Sequence, residues 1–309
     1  MSRENFKAYL AWITICFVWG TTYLAIRIGV KDLPPMLFAG FRWTIAGSMF
    51  LVFLKSRGHK LPSKKDLIPL AIVGIALLGI GNGFVVIGEQ WISSGLAALL
   101  ITTTPFWLVI IEAFLPNRPK INFLIITGLI LGLVGVVLIF GSHLEELLNK
   151  SYMLGSLCIL GAVIAWALGS VYSKYRKVNL HPLMSAATQM IIAGTIQIVI
   201  GLFLGEAPEF HLAGNGLLAF LYLILIGSIF GYGSYIYAIS HLPLSLVSTY
   251  AYINPVIALF LGWLVLDERL DMIIIISAII IIVGVLLVKQ GSKTENILPR
   301  SGDSEAKAS

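Results

Sequence analysis

From Ala8 to Ile26 the chain carries no charged side chain, and runs of this kind recur along its length. A helix needs about 20 apolar residues to cross a bilayer. Inside the hydrocarbon every backbone polar group must be satisfied within its own segment, which limits such runs to helices or closed barrels. These runs are too long for barrel strands. Composition agrees: 58% of the 309 residues are apolar and 12% are charged, against about 25% charged in soluble domains. The expected class is an all-α integral membrane protein.

Ten spans are expected, at about 8–28, 35–55, 67–88, 93–115, 122–141, 153–174, 182–204, 215–238, 244–266 and 272–290. Turn chemistry and charge separate them, as in 31-KDLPP-35, 55-KSRGHKLPSKKD-66, 116-PNRPK-120, 205-GEAPEF-210 and 267-DERLD-271. The first run lacks a small-residue cleavage site and is expected to stay in the mature chain. With the N-terminus inside, sixteen of the 21 Lys and Arg residues fall on the inner side and four on the outer, Arg42 being the remaining one. That asymmetry predicts cytoplasmic N- and C-termini in a cell membrane. The net charge of +6 therefore reports orientation and not nucleic-acid binding. The polar stretch 291–309 is expected to be a disordered cytoplasmic tail.

The chain repeats itself. At an offset of 147, 35-PMLFAGFRWTIAG-47 aligns with 182-PLMSAATQMIIAG-194, and Trp19 aligns with Trp166. Near 148, 79-GIGNG-83 aligns with 227-GSIFG-231; at 149, 134-VGVVL-138 aligns with 283-VGVLL-287; at 150, Pro105 aligns with Pro255. Two units, 8–141 and 153–290, then hold five helices each. Five is odd, so the second unit enters the membrane from the opposite side, giving a 5+5 inverted-topology repeat. Such repeats place a substrate site near the midplane and expose it by rocking. Small residues four apart, at Gly79/Gly83, Gly128/Gly132, Gly201/Gly205 and Gly227/Gly231, suit close helix packing.

Ten spans, the 5+5 repeat, Trp19-Gly20 in the first helix and Arg42 early in the second resemble the EamA family of the drug/metabolite transporter superfamily. The most specific stretch is 250-YAYINPVIALFLGWLVLDERL-270, which is similar to a Pro-containing family helix ending in Glu-Arg-Leu. The first unit departs from it, with Asn117-Arg118-Pro119 at the corresponding end. The resemblance covers about 8–290. It implies a secondary carrier, often an exporter of amino acids, other metabolites or drugs, and it does not imply a substrate.

Polar residues inside the spans are the candidate site. Arg42 lies about 10 Å below the outer end of the second helix at 1.5 Å per residue, and Gln189 holds the matching place in the second unit. A charge at that depth costs several kcal/mol unless it pairs or snorkels. Two readings stay open: a structural role, snorkelling or pairing with a helix terminus or Glu89, and direct substrate contact. Pro105 and Pro255 should kink the fourth and ninth helices and free the carbonyls of Ile101 and Ala251. Kinks would aim Thr103, Tyr250 and Asn254 inward, while plain back-bonding of the Thr hydroxyls is the competing reading. Trp19, Thr21, Trp166 and Tyr235 complete the cavity candidates. Glu89 and Glu112 are the candidates for proton coupling or ion pairing.

No cofactor or metal is expected. Cys16 and Cys158 read as isolated buried thiols, and the five histidines fall in or beside loops. No metalloprotease, nucleophile-elbow or phosphate-loop motif occurs, which disfavours a membrane enzyme. The expected function is a secondary-active exporter of small metabolites, such as amino acids or amphipathic compounds, by alternating access. The partners are a small solute, H+ as a candidate coupling ion, and the bilayer. A multidrug efflux carrier for cationic solutes and a polytopic enzyme stay open as alternatives.

Overall fold

The structure, a computed structural model, describes residues 3–92, 97, 100–115, 121–140, 150–176, 178–257 and 272–295. The described residues are helical apart from short turns and contain no strand. In chain order the helices are α1 (Arg3–Asp32), α2 (Pro35–Ser56), α3 (Lys64–Gly88), α4 (Thr104–Ala113) and α5 (Phe123–Phe140). Then come α6 (Lys150–Tyr175), α7 (Pro182–Phe203), α8 (Gly214–His241), α9 (Leu244–Ile257) and α10 (Met272–Glu295). Of these, α1, α2, α3, α6, α7 and α8 are long and apolar enough to cross a membrane; shorter apolar helices lie in the other four. The segments 116–120 and 267–271, with the Glu-Arg-Leu end of the ninth expected span, lie outside the described residues.

The packing pattern is itself regular. α2 lies along α7, and α5 lies along α10; α1 packs on α8, and α3 on α6. Exchanging the first five helices for the last five leaves these pairings unchanged. Small residues make the close approaches. A Cβ on Gly128 would come within 2.5 Å of the Gly284 carbonyl oxygen, and one on Gly284 within 2.7 Å of that of Gly128. In lipid, where no hydrophobic drive acts between helices, such contact supplies the dispersion energy of association. Two expected small-residue pairs behave otherwise. Gly205 sits at φ +79° in open space and ends α7, a left-handed position that glycine adopts without strain. A Cβ on Gly79 would have Ile75 and Gly74 of its own helix as its nearest neighbours, none nearer than 3.7 Å.

α3 and α8 share a feature that composition does not reveal. Each contains a π-helical segment, Ile75–Asn82 in α3 and Leu223–Tyr232 in α8. π-Turns displace carbonyls from regular pairing and mark functional sites. Gln197 of α7 donates its Nε2 to the Leu78 and Gly79 carbonyls at 3.0 and 3.3 Å. In α8 the indole Nε1 of Trp19 donates to the Gly227 carbonyl at 3.3 Å. Gly79 and Gly227 are the glycines that align in the sequence repeat. Gln197→Leu should therefore remove the side-chain bonds to these carbonyls, while that of Leu78 keeps the Gly83 N–H, costing about 0.5–1.5 kcal/mol; a lower thermal midpoint in detergent checks this.

The expected proline kinks take a different form. α4 starts at Thr104, after a turn at Thr102 and Thr103, so Pro105 occupies a first-turn position where its missing N–H costs nothing. The Ile101 carbonyl that it leaves free accepts from the Thr104 hydroxyl at 2.6 Å. α9 turns at Ser248 and Thr249, and the helix then runs on through Pro255. The expected tail is also corrected. α10 extends to Glu295, so residues 291–295 are helical, and 296–309 lie outside the described residues.

Candidate functional site

The helices meet around a cavity lined by Trp19, Thr22, Tyr23 and Ile26 of α1, Arg42 and Trp43 of α2, and Gly81, Asn82 and Val85 of α3. Ile101, Thr104, Ala162, Val163, Trp166 and Tyr250 close it. Its volume is about 80 Å³, well below the roughly 300–1,000 Å³ of pockets that enclose a drug-sized ligand. The wall is mostly apolar and aromatic, with a few polar groups placed on it.

At its centre the repeat-related pair Trp19 and Trp166 meet edge to face, with ring centroids 5.4 Å apart at 80°. Tyr250 packs on Trp19 at 4.9 Å and 79°. Tyr235 lies 5.2 Å from each tryptophan. It is held there by the Trp166 indole N–H, which donates to its hydroxyl at 3.0 Å, and by a 2.6 Å bond with Ser170. Tyr235 thus stands behind the wall and fixes Trp166.

Arg42 is 2% exposed. Its Nε donates to Ser228 Oγ at 2.9 Å, and its guanidinium carbon lies 4.3 Å from the Trp43 ring centroid. Ser228 is on the π segment of α8, so the π turn positions the acceptor. Nη1 has no hydrogen-bond partner among the described residues. The matching Gln189 is served differently, accepting from the Tyr232 hydroxyl at 2.7 Å. The matching positions therefore hold a cation on the cavity wall in one half and a neutral amide outside the lining in the other.

One of the alternatives for Arg42, pairing with Glu89, does not form. Glu89 is fully buried, and neither carboxylate oxygen has a hydrogen-bond partner among the described residues. It is Arg27 of α1 that reaches this corner, and it donates to main-chain oxygens, those of Glu89 and of Ile92, the latter at 2.7 Å. An arginine satisfying the last carbonyls of a helix suits their negative end. Glu112 does not snorkel either. It is 4% exposed and accepts from the Tyr175 hydroxyl at 2.8 Å.

Both threonines named from the sequence point elsewhere. Thr21 bonds the Val18 carbonyl at 2.7 Å and the Tyr222 hydroxyl, while its neighbour Thr22 lines the cavity. Thr103 back-bonds to the Leu100 carbonyl at 2.8 Å, while Thr104 faces the cavity. Asn254 lies behind the wall. With its amide nitrogen donating to the Tyr250 and Cys16 carbonyls at 3.0 and 2.8 Å, its side chain also bonds the Tyr23 hydroxyl. Asn82, a wall residue that sequence reasoning passed over, accepts from the Trp43 indole at 2.9 Å. An amide within the aligned 79-GIGNG-83 was the available signal. Among the described residues no group of His, Cys, Asp or Glu could hold a metal ion.

Comparison with known proteins gives a consistent picture. The model of the EamA-like transporter family matches residues 6–141 and again 153–290. An uncharacterized inner membrane transporter of Escherichia coli K12, YedA, is 35% identical over 292 residues, covering 94% of this chain and 92% of its own. The uncharacterized transporter YoaV of Bacillus subtilis 168 is 28% identical, covering 91% and 96%. A probable amino-acid metabolite efflux pump of Escherichia coli K12 is 24% identical, covering 93% and 95%. A solved crystal structure at 21% identity superposes with a TM-score of 0.79 over 95% of this chain and 99% of that one, a likeness of fold.

Proposed function

Because the chain belongs to the EamA-like transporter family, a family of multi-pass membrane transporters, we propose that it exports small carboxylate-bearing metabolites, amino acids among them, by alternating access. The carrying observation is Arg42: a buried cation on the cavity wall whose Nη1 has no hydrogen-bond partner among the described residues. A guanidinium presents its donors as a planar fork that suits a carboxylate. A solute carboxylate would both fill the free donor and neutralise the charge. The aromatic pair Trp19 and Trp166, with Tyr250, offers apolar faces to the remainder of the solute. The amino-acid metabolite efflux named for one relative agrees with this chemistry. A multidrug carrier of cations is the weaker reading, since Arg42 would repel a cation in the same space.

The same reading takes the membrane arrangement as ten spans in a 5+5 inverted repeat with both termini cytoplasmic. Supporting it are the pairing pattern, unchanged when the halves are exchanged, and the π segments in α3 and α8. Proton coupling is assigned to Glu89, a buried carboxyl group whose oxygens have no donor among the described residues. Uptake into proteoliposomes from a pooled panel of amino acids and amphipathic amines, read by mass spectrometry with and without a pH gradient, tests the proposal. Entry of a few carboxylate-bearing solutes is the expected result. Entry of amines alone would overturn it in favour of the cation carrier. Glu89→Gln should abolish the response to the gradient while exchange of solute for solute continues.

A further inference from the structure

Two contacts tie the halves together at opposite ends. At one end Glu206, just past α7, accepts from the main-chain N–H groups of Met36 and Leu37 at 3.2 and 2.8 Å. A carboxylate thereby caps the N-terminus of α2, where the free N–H groups and helix dipole favour negative charge. The repeat offset of 147 that aligns Pro35 with Pro182 also aligns His59 with Glu206. His59 lies at the N-terminus of α7, its ring centroid 4.3 Å from that of His181. His181 is the N-cap of α7, and its Nδ1 accepts from Leu183 N at 3.3 Å. Each half thus sends the loop after its second helix to the start of the other half's second helix. The chemistry at the two ends differs. A carboxylate is attracted to a helix N-terminus, whereas an imidazole can cap one only while neutral, because protonated Nδ1 becomes a donor.

We propose that the His59–His181 contact is the latch of the inner gate, closed while His181 is neutral and released by protonation, with Glu206 as its charge-held counterpart at the outer gate. The assignment rests on the alternating-access reading above. The titratable and charged groups acting on His181 are His59 from the α2–α3 loop, His241 from the end of α8, and Lys7 from α1. All are cationic when charged, and Lys60 lines the same surface pocket as His59 and His181. Burial first, then these neighbours, lower the His181 pKa from its usual 6.5. The closed latch is therefore favoured at inner pH above 6.5. It loses that advantage as the pH falls through this value towards the lowered one, because the open form binds the proton more tightly.

Spin labels at Lys60→Cys and Asn179→Cys, in the full-length protein with Cys16→Ala and Cys158→Ala, report the latch distance in nanodiscs by pulsed double resonance. Between about pH 7.5 and about pH 5.5, the range in which histidine switches, a longer-distance population should grow. His181→Gln keeps an acceptor for Leu183 N but cannot titrate, so its distances should stay short at both values. His59→Phe keeps the ring contact without the charge and should shift the opening to lower pH. A distance distribution that ignores pH in the parent protein, or one that responds equally in His181→Gln, overturns the latch. Solute counterflow in the same preparation separates this failure from that of the transport reading. Intact counterflow with unchanging distances removes only the latch, and absent counterflow removes the carrier itself.

Discussion

Arg42→Leu should abolish carboxylate transport and leave the protein folded. Among the described residues Arg42 has one side-chain acceptor, Ser228, and it is 2% exposed. Burying a cation with so little compensation is unfavourable by several kcal/mol. Leucine, shorter and apolar, removes that cost, so the thermal midpoint should hold or rise. The solute loses a charge-assisted fork of hydrogen bonds worth about 3 kcal/mol, or roughly 100-fold in affinity. Arg42→Lys keeps the charge but not the planar geometry and should recover only part of the rate. Uptake rate and thermal midpoint, measured on the same purified protein, check both halves. A collapsed midpoint in Arg42→Leu with full uptake in Arg42→Lys would make Arg42 a structural strut.

Gly194→Val should be the most destabilising single change. α2 and α7 cross with their backbones nearly touching. A Cβ at Gly194 would come 2.5 Å from Thr44 Oγ1, 2.6 Å from Thr44 N and 2.7 Å from the Gly40 carbonyl. Two of those atoms are main chain and cannot step aside. The facing Gly40 is equally confined, 2.7 Å from Ile198 N by the same construction. The helices would have to separate along the joint between the halves, at a cost of about 3 kcal/mol or more. Gly79→Ala is the control. Its Cβ would meet nothing nearer than 3.7 Å, and alanine is the better helix former by about 1 kcal/mol. Monodispersity and thermal midpoint in detergent should fall sharply for the first variant and hold for the second.

The order of the helices and the lengths of the six long ones were legible because charge and turn residues bound each apolar run. Pro35 and Pro182 begin α2 and α7 as the sequence suggests. Facing was harder to read. Along a helix each residue turns by 100°, so choosing Thr21 over Thr22, or Thr103 over Thr104, missed the cavity by one residue. Spans that are apolar all round carry no moment to fix their phase. The partner of Arg42 was equally hidden. The sequence offered Glu89 as the nearest acid on that side, yet the π turn in α8 brings Ser228 to the guanidinium. π-Turns have no residue signature, so neither that bond nor Gln197 on the Gly79 carbonyl could be anticipated. The Glu206 cap needed the packing of α2 on α7 to become visible, since the residues lie 169 and 170 apart in sequence.

Counterflow tests the central claim most directly. Proteoliposomes are loaded with a high concentration of an unlabelled solute that the panel has identified, then diluted into a trace of the labelled form. A carrier whose cavity faces one side at a time must return loaded with whatever solute is in excess. Labelled solute should then rise transiently above its outside concentration before falling back, and Arg42→Leu should show no overshoot. A monotonic approach to equilibrium, with entry still dependent on the protein, would mean a continuous path through the membrane and would contradict alternating access.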